Sequence, residues 1–597
     1  MGLDRYQHHD VNKTVQPDGT ILLTSNIPLP PVAGRTLDWL LDWAARTPEA
    51  TFLAERSGPG WREVSYSQAL DMVRALASGL LAHGIGPDRP ILIISGNSVN
   101  HGLLSLAAQY IGAPTVPVAE QYALIPAARV QFDHIQRLIN PAMIYAEDAR
   151  FFDALDLPLF DGCQKLISHG DYRGALRFDH LLRTEGEDAE AALAKVGPDT
   201  VAKILMTSGS TSSPKGVLTT HRMMCTNQVQ LRAVLPFLGT RPPRVVDWLP
   251  WNHVFGGSHN FNMMLANGGS FYIDNGKPTP ALIGETIENL GMLGGTLAFN
   301  VPVGFAMLRD ALRNDVALRE NYFRDLDMLF YAGASLPQDV WADLEAMARD
   351  VRGEVPLFTS SWGLTETAPA CLIQHEPTDR SGIVGAPMPG VVVKLIPDAD
   401  LRCEVRVKGD NIMPGYFNDP VKTAEAFDPD GFFVTGDAMQ FVDRADVNKG
   451  LKFDGRISED FKLLTGTWVR AANLRLDLLR DLGGLAQDVV ITGADRSQIG
   501  IMIIPSQALR DRSDAVDQGG ALVIPSAAEA IRACLHARPD EGSSTKVFRA
   551  IVMTEPPSIA EGEITAKGNL NFRKIQTRRA GLLARLYDDN DPAVIHI

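Results

Sequence analysis

Cysteine is scarce in this 597-residue chain, and its few copies are scattered. The five cysteines, Cys163, Cys225, Cys371, Cys403 and Cys534, lie far apart and show neither a CxxC motif nor a Cys/His ligand spacing. This pattern argues against a disulfide framework and against a zinc site. It is typical of a protein in a reducing compartment, so we predict a cytoplasmic location.

Positive charge is also in short supply. The chain has 56 Lys and Arg against 71 Asp and Glu, a formal net charge of −15. Nucleic acids and anionic membranes bind clustered Lys and Arg, so neither is an expected partner, and any phosphate site must be local. The polar N-terminus lacks the regions of a signal peptide, which predicts no export. The uncharged stretch 101–119 contains Pro114 and Pro117, so it predicts no membrane insertion.

The chain does contain an alternation of strand-like and helix-like segments. Residues 90–95, "PILIIS", have the pattern of a buried strand, and a helix capped near Ser98 and ending at Gly112 leads to the strand-like "PTVPV". From about Gly382 short β-like segments replace this pattern, and the last ~140 residues mix helices and strands. We predict an α/β fold: a large N-terminal domain of wound α/β sheets with a β-rich subdomain, followed by a small α+β domain.

A loop rich in hydroxyl groups follows the apolar run "VAKIL". Residues 206–216 are "MTSGSTSSPKG". A Walker A loop needs glycine where Pro214 stands, so the loop does not fit the P-loop pattern of kinases and ATPases. Its backbone N–H groups, its hydroxyls and Lys215 can still hold a phosphate. A Ser-rich surface turn is the alternative at this point.

Six further segments follow this loop in order: "LPWNHVFGG", "YAGASLP", "SSWGLTETAP", "FVTGDAM", "DGRISEDFKLLTGTWV" and "EITAKGNLNFRK". Together the seven resemble the motifs of the acyl-adenylate-forming enzymes, which include acyl-CoA synthetases, luciferases and peptide-synthetase adenylation domains. Ser212 stands where the family loop has glycine, and Trp362 where the family usually has tyrosine. Within the superfamily, the closest resemblance is to feruloyl-CoA synthetases, and it rests on "LPWNHVFGGSHNF", "GGSFYIDNGKPTP", "EDFKLLTGTWVR" and "EITAKGNLN".

The resemblance implies which residues bind ATP and Mg²⁺. The phosphates fall to Thr207, Ser208, Gly209, Ser210, Thr211 and Lys215. The adenine side falls to Ala334, Ser335, Trp362 and Gly363. Thr365 is expected to contact the α-phosphate, and Asp437 and Arg456 to bind the ribose. Glu366 and Thr211 are expected to bind the metal. One carboxylate is adequate for Mg²⁺, which keeps waters and phosphate oxygens as its other ligands. Taken alone, "LTET" is better interpreted as a capped helix start. A core aromatic is the alternative for Trp362, and a simple turn residue is the alternative for Asp437.

The resemblance also implies a catalytic set, Lys567, Lys215, Glu366 and His253. In the family, the lysine of "ITAKGN" neutralises charge on the substrate carboxylate and the α-phosphate, which favours Lys567 over the nearby Lys574. We expect residues 1–456 to form the large AMP-binding domain and residues 457–597 to form a small, mobile domain that carries Lys567. After adenylation this domain is expected to rotate and present Gly466, Thr467 and Trp468 to coenzyme A.

The acyl pocket is expected to include the following residues: His253, Val254, Phe255, Gly333, Ala334 and Gly363. His253 would gate the pocket, unless it is simply a core histidine. The small residues would leave a flat slot that suits an aromatic ring.

The sequence therefore predicts an ATP- and Mg²⁺-dependent carboxylate:CoA ligase that acts on a hydroxycinnamic acid such as ferulate, with AMP and pyrophosphate as products. A fatty-acyl or other aryl-CoA ligase is the first alternative, and an adenylating enzyme that loads a carrier protein is the second. A nucleotide-binding regulator without activity is the third, although Lys215, Glu366, Asp437 and Lys567 argue against it. The expected partners are the acid, ATP and coenzyme A; the oligomeric state stays open, a homodimer included.

Overall fold

A computed structural model describes residues 5–155, 162–184, 188–207, 214–398, 401–538, 542–558, 561–564 and 570–597. Residues 208–213, with the predicted phosphate ligands Ser208, Gly209, Ser210 and Thr211, lie outside the described residues. The same holds for Ser212 and for the predicted catalytic lysine, Lys567.

The first α/β layer is a seven-stranded sheet. In spatial order its strands are Lys215–Thr220, Val201–Thr207, Thr115–Val118, Ile91–Ile94, Met143–Asp148, Gln164–His169 and Leu176–Arg177. All neighbours are parallel except the first pair. Ile91–Ile94 and Thr115–Val118 are buried along their whole length, as expected for strands with helices on both faces. The predicted strand–helix–strand unit is confirmed, with Val99–Tyr110 as its helix and Ser98 as its N-cap.

A second α/β layer contains two smaller sheets. One has the strands Arg244–Asp247, Ser270–Ile273, Thr51–Ser57 and Gly60–Ser65, and the other has Leu297–Asn300, Met328–Tyr331 and Leu357–Thr359. The amide of Thr296 donates to the carbonyl of Arg244 at 2.8 Å, so the two sheets adjoin. Parallel strands in this layer end near His253 and Gly333, which places both segments at carboxyl edges of the sheets.

Helices cover these sheets and the C-terminal sheet. They are Leu37–Arg46, Tyr66–Ala82, Val99–Tyr110, Gln121–Leu124, Arg129–Ile139, Arg150–Leu155, Phe178–Leu181, Ala189–Leu193, His221–Val234, Phe261–Ala266, Ile283–Met292, Pro302–Asn314, Val316–Phe323, Gln338–Arg352, Pro420–Glu425, Ala471–Leu482, Gln507–Arg510, Pro525–His536, Phe572–Arg578 and Ala580–Leu586. Among the described residues, no helix combines the length and the apolar character that crossing a membrane requires.

The β-rich subdomain is built around a nine-stranded sheet. In spatial order it contains Val11–Val15, Ile21–Ser25, Val392–Pro397, Cys403–Lys408, Phe433–Phe441, Leu451–Arg456, Ile383–Pro387, Ala370–Ile373 and Ser361–Gly363. It begins earlier in the chain than Gly382, because the strands that flank the "GLTET" turn also join it. It also contains two N-terminal strands that the sequence analysis did not identify.

The C-terminal part is a separate α+β unit with its own apolar core. Its main sheet has the strands Ala486–Thr492, Ile499–Pro505, Val547–Val552 and Ile595–His596, and two hairpins pair Phe461–Lys462 with Trp468–Val469 and Val516–Gln518 with Ala521–Val523. The predicted fold class is thereby confirmed. The predicted domain boundary falls between the strand Leu451–Arg456 and the 3₁₀ turn Ile457–Glu459.

Candidate active site

The two ends of the predicted phosphate loop lie side by side. Thr207 ends one strand and Lys215 begins the next, and the two residues are register partners in an antiparallel pair. The Thr207 hydroxyl donates to the Lys215 carbonyl at 3.5 Å. The strand that Thr207 ends runs parallel to its other neighbour, so this loop starts at the carboxyl edge where wound sheets hold their ligands.

Lys215 and Glu366 are brought together by Tyr416, a residue that the sequence analysis missed. The Lys215 Nζ lies 4.0 Å from the centroid of the Tyr416 ring, a cation–π contact. The Tyr416 hydroxyl donates to Glu366 Oε1 at 3.0 Å. Burial, and after it the charge of Glu366, raises the pKa of Tyr416, so the phenol stays protonated and donates. The signal in the sequence was an aromatic residue in the turn "MPGYF", which carries no charge to mark it.

The turn that carries Glu366 is fixed through its backbone. Thr365, Glu366 and Thr367 form a 3₁₀ turn in which Thr365 is buried. The amide of Met413 donates to the Glu366 carbonyl at 2.8 Å. The carboxylate is half-buried and has one oxygen engaged with Tyr416, so its other oxygen is the group available to a cation.

Asp437 lies between Trp362 and Arg456. Its side chain is 2% exposed, and its Oδ2 accepts the Trp362 indole N–H at 2.9 Å. Its Oδ1 lies 3.5 Å from Arg456 Nε but has no hydrogen-bond partner among the described residues. Burial raises the pKa of Asp437, while the charge of Arg456 and the bond from Trp362 oppose the rise. A buried carboxylate oxygen without a donor fits two vicinal hydroxyl groups, as on a ribose.

Trp362 therefore has a hydrogen-bonding role that its position in the motif did not suggest. The indole is 7% exposed, and its N–H orients Asp437. Next to it, a Cβ on Gly363 would lie 1.7 Å from the carbonyl oxygen of Pro369, so only glycine fits there. Glycine thus lets the strand Ser361–Gly363 lie close to Pro369, which follows the Glu366 turn.

The predicted adenine-side turn is open to solvent. Gly333, Ala334 and Ser335 are exposed and follow the parallel strand Met328–Tyr331. Gly333 has a φ of +89°, which favours glycine at this position.

The predicted acyl-side residues lie on a turn that leads into a π-helix. His253 is half-buried, Val254 and Phe255 are buried, and the π-helix spans Phe255–Asn260. π-Helical turns are rare and occur mostly at functional sites.

An aromatic cluster surrounds Phe255, and the sequence analysis missed three of its members. The His259 ring centroid lies 5.5 Å from that of Phe255, 5.8 Å from that of Phe299 and 5.1 Å from that of Phe330. Burial lowers the pKa of His259 to about 4, so the ring is neutral at pH 7. Its Nδ1 pairs with the Asn260 side-chain oxygen at 2.8 Å, and its Nε2 has no hydrogen-bond partner among the described residues. The result is a buried aromatic cluster that contains one nitrogen without a hydrogen-bond partner among the described residues.

The predicted coenzyme A face forms the tip of a hairpin in the C-terminal unit. Trp468 is 57% exposed, and the Lys462 Nζ lies 4.9 Å from its ring centroid. Gly466, with a φ of +83°, makes the turn, and the Thr467 hydroxyl lies 3.2 Å from that of Ser543. An exposed indole beside a lysine is a surface that suits a nucleotide base and its phosphates.

Glu366 is a residue that could hold Mg²⁺. The described part of the chain holds no group of three or more His, Cys, Asp or Glu side chains that could bind a metal ion. Mg²⁺ needs only one or two carboxylates beside phosphate oxygens and waters, and Glu366 supplies one.

A sequence model of the family described as "AMP-binding enzyme" matches residues 40–417, more than half of the chain. The chain belongs to the AMP-binding enzyme family. It is 26% identical over 442 residues to a 3-hydroxybenzoate–CoA ligase of Aromatoleum sp., covering 72% of this chain and 79% of that protein. It is 31% identical over 256 residues to a long-chain-fatty-acid–CoA ligase of Salmonella typhimurium, covering 40% and 43%.

The fold of this AMP-binding enzyme matches that of a solved relative. An o-succinylbenzoate–coenzyme A synthetase of Bacillus subtilis in complex with AMP superposes with a TM-score of 0.68, at 17% identity, over 92% of this chain and 98% of that one. The family match and the curated relatives support an AMP-forming carboxylate:CoA ligase of the acyl-adenylate-forming superfamily. The relatives act on different acids, so the resemblance to feruloyl-CoA synthetases stays a prediction.

Proposed function

We propose that this AMP-binding enzyme uses ATP to convert a hydroxycinnamic acid, ferulate being the favoured example, into its acyl-adenylate and then into the coenzyme A thioester. AMP and pyrophosphate are the other products. The observation that carries the ligase assignment is the linked set of Lys215, Tyr416 and Glu366. It lies beside a strand-end loop, as a pyrophosphate and its metal require.

Charge neutralisation is the first task of this site. Each pair of unit charges about 4 Å apart repels by about 4 kcal/mol at an effective dielectric near 20, and both the acid and ATP are anions. Lys215 places a cation at the start of the strand that follows the phosphate loop. Glu366 would hold Mg²⁺, which supplies further positive charge at the phosphates, and Tyr416 fixes the carboxylate in place.

Nucleotide orientation is the second task. The unpaired Oδ1 of Asp437 would accept the ribose hydroxyls, with Arg456 beside it. Trp362 holds the other carboxylate oxygen, which would keep Oδ1 directed toward the ribose. Ala334, Ser335 and Gly363 would border the adenine, and Thr365 the α-phosphate.

The aromatic cluster around Phe255 supports an aromatic acid as the substrate. An acid that entered this buried cluster would meet the rings of Phe255, Phe299 and Phe330, and the Nε2 of His259 would bond the phenolic hydroxyl of a hydroxycinnamate. A fatty acid in the same place would leave that nitrogen without a partner, at a cost typical of a buried polar group. Val254, Gly333 and Ala334 complete the proposed pocket.

The second half-reaction is proposed to use the C-terminal unit. Lys567 would neutralise the α-phosphate and the carboxylate during adenylation and then leave the site as residues 457–597 rotate. Gly466, Thr467 and Trp468 would then face coenzyme A, whose thiolate attacks the acyl-adenylate and releases AMP.

One assay tests the proposal. The protein is mixed with ATP, Mg²⁺ and coenzyme A, and with ferulate, p-coumarate, 3-hydroxybenzoate or a long-chain fatty acid, and thioester and AMP are followed. We expect the highest kcat/KM with a hydroxycinnamate. Absence of thioester with every acid would refute the ligase, and turnover of the fatty acid alone would refute the aromatic pocket. Acyl-adenylate without thioester would favour an enzyme that loads a carrier protein.

A further inference from the structure

Lys203 is a buried lysine to which the proposed mechanism gives no role. It lies in the middle of the strand Val201–Thr207, with register partners on both sides, Thr115 and Thr219. The residue is 6% exposed. We propose that Lys203 is a positioning residue. It holds the turn that leads from His253 into the π-helix, and with it the proposed acyl pocket, against the strand that leads into the phosphate loop. This inference rests on the proposed function.

The contact that carries the proposal is made to a backbone carbonyl. The Lys203 Nζ donates to the carbonyl oxygen of Gly257 at 2.5 Å. Its other close neighbour is an aromatic face, with the Phe261 ring centroid 5.9 Å away. Gly257 lies inside the π-helix Phe255–Asn260. A π-helix displaces carbonyls from the regular i to i+4 ladder, and this carbonyl is bonded by a side chain from another layer.

A second hydrogen bond connects Gly257 to His253, the residue expected to gate the acyl pocket. The Gly257 amide donates to the His253 carbonyl at 2.8 Å, so a single residue separates the lysine from His253. Gly257 cannot be replaced without moving the turn, because a Cβ there would lie 2.1 Å from the Trp251 carbonyl oxygen. A Cβ on Gly256 would lie 2.4 Å from the carbonyl oxygen of Leu249. The turn is thus packed on its own preceding segment and anchored outward through Lys203.

The charge of Lys203 is not balanced by a carboxylate among the described residues. Burial lowers its pKa to about 8, so it is still mostly protonated at pH 7. The two titratable groups that face it, His101 and His221, are neutral at that pH because burial lowers their pKa values to about 4 and about 3. An unpaired buried ammonium lowers the stability of the fold. An apolar residue of similar volume at this position would make the fold more stable. The presence of a lysine therefore points to a positional role.

The proposed role has a directional consequence. Strand Val201–Thr207 carries the phosphate loop at its end, and the π-helix carries Phe255 and His259. Loss of the Lys203 bond should therefore disturb the acid side of the site, while the Asp437 and Glu366 side keeps its own contacts. A lysine that only supports the core would disturb both sides or neither.

The test compares Lys203→Met with a matched control, Lys195→Met, which removes an exposed lysine. Adenylation is measured by pyrophosphate exchange with ferulate or ATP varied. For Lys203→Met we expect the KM for the acid to rise by about tenfold or more, as loss of a charged hydrogen bond predicts, and the KM for ATP to change less than about twofold. The control should change neither. Equal rises in both constants, or no rise, would overturn the proposal.

A second measurement needs no turnover and so separates this proposal from the ligase assignment. Hydrogen exchange of the free protein should speed up in the peptide that covers 253–260 in Lys203→Met, and not in the peptide that covers 364–368. If the wild type adenylates no acid, this exchange pattern decides on Lys203 by itself. If the methionine variant does not fold, Lys203→Gln, which removes the charge and shortens the side chain, must show the same local change. Uniform or absent changes would refute the positional role.

Discussion

Replacing Asp437 by asparagine should make the free protein no less stable while it weakens nucleotide binding. The substitution keeps the shape of the side chain and removes its charge. The amide oxygen can still accept the Trp362 N–H, now 2.9 Å from Oδ2. The amide N–H₂ would then occupy the place of Oδ1, the oxygen that has no donor among the described residues.

The stability prediction follows from the direction of the pKa shift. Burial raises the pKa of Asp437 above its ordinary value of 3.8. The folded state therefore binds a proton more readily than the unfolded state, and stability falls as the pH rises through the interval between the two pKa values. Above that interval the ionised carboxylate lowers the free energy of unfolding. Asp437→Asn removes this penalty, so we expect an equal or higher Tm at pH 7.

The binding prediction has the opposite sign. A hydrogen bond to a charged acceptor contributes about 1.5 to 3 kcal/mol, and the ribose would make two. Asparagine would keep at most one weaker hydrogen bond to the ribose, because its amide N–H₂ would face a ribose hydroxyl in place of the accepting Oδ1. The expected loss is about 2 to 4 kcal/mol, which corresponds to about 30- to 700-fold weaker binding of AMP.

Asp428 offers a matched control. It is also a buried aspartate, but it pairs with Lys394 at 3.0 Å and with Arg406 at 3.1 Å, and its pKa is lowered to about 2. Its contribution to stability is present above pH 3.8 and is lost as the pH falls through about 2. Asp428→Asn should therefore cost about 2 kcal/mol of stability at pH 7 and leave AMP affinity unchanged.

The assay is calorimetric titration with AMP together with thermal melting of the wild type and both variants. The two aspartates should give opposite patterns: affinity lost without stability for Asp437, and stability lost without affinity for Asp428. Unchanged AMP affinity in Asp437→Asn would refute the ribose assignment. A lower Tm in that variant would refute the argument from burial.

Three further substitutions test the site. Tyr416→Phe removes the bond to Glu366 and should raise the Mg²⁺ concentration needed for half-maximal adenylation by about tenfold, measured by pyrophosphate exchange at saturating ATP. Gly363→Ala places a Cβ against the Pro369 carbonyl and should lower both Tm and AMP affinity; a variant as stable as wild type would contradict the close approach. Lys567→Ala should impair adenylation far more than thioester formation from supplied acyl-adenylate. Equal losses in the two steps would contradict the proposal that Lys567 leaves the site when residues 457–597 rotate.

The sequence revealed several of the α/β elements because their patterns are local. Ile91–Ile94 is a continuous apolar run, and Val99–Tyr110 begins at a Ser cap, so both could be placed without knowledge of their neighbours. The strand Val11–Val15 has the polar pattern "VNKTV" and is mostly exposed. It is a strand because Ile21–Ser25 pairs with it and also with Val392–Pro397, about 370 residues further along the chain. Such pairing leaves no local signal.

The same distinction applies to the site. Glu366 and Asp437 could be proposed because each sits in a short motif with a recognisable spacing. Tyr416 is defined by a contact with Glu366 across 50 residues, and His259 by aromatic rings from strands that follow it in the chain. Lys203 stands in the run "VAKIL", where it looks like a polar interruption of a strand. Its significance depends on a carbonyl 54 residues away.

Asp437 and Lys203 share a physical property that connects the two halves of the site. Each is a buried ionisable group whose pKa is shifted toward its neutral form, so each lowers the stability of the free protein. Asp428 shows that this chain can bury a carboxylate with full compensation from two cations. Natural proteins accept such losses mainly where function requires them. The unsatisfied oxygen of Asp437 is then explained by the ribose it would bind, and the unpaired ammonium of Lys203 by the turn that it fixes beside the acid.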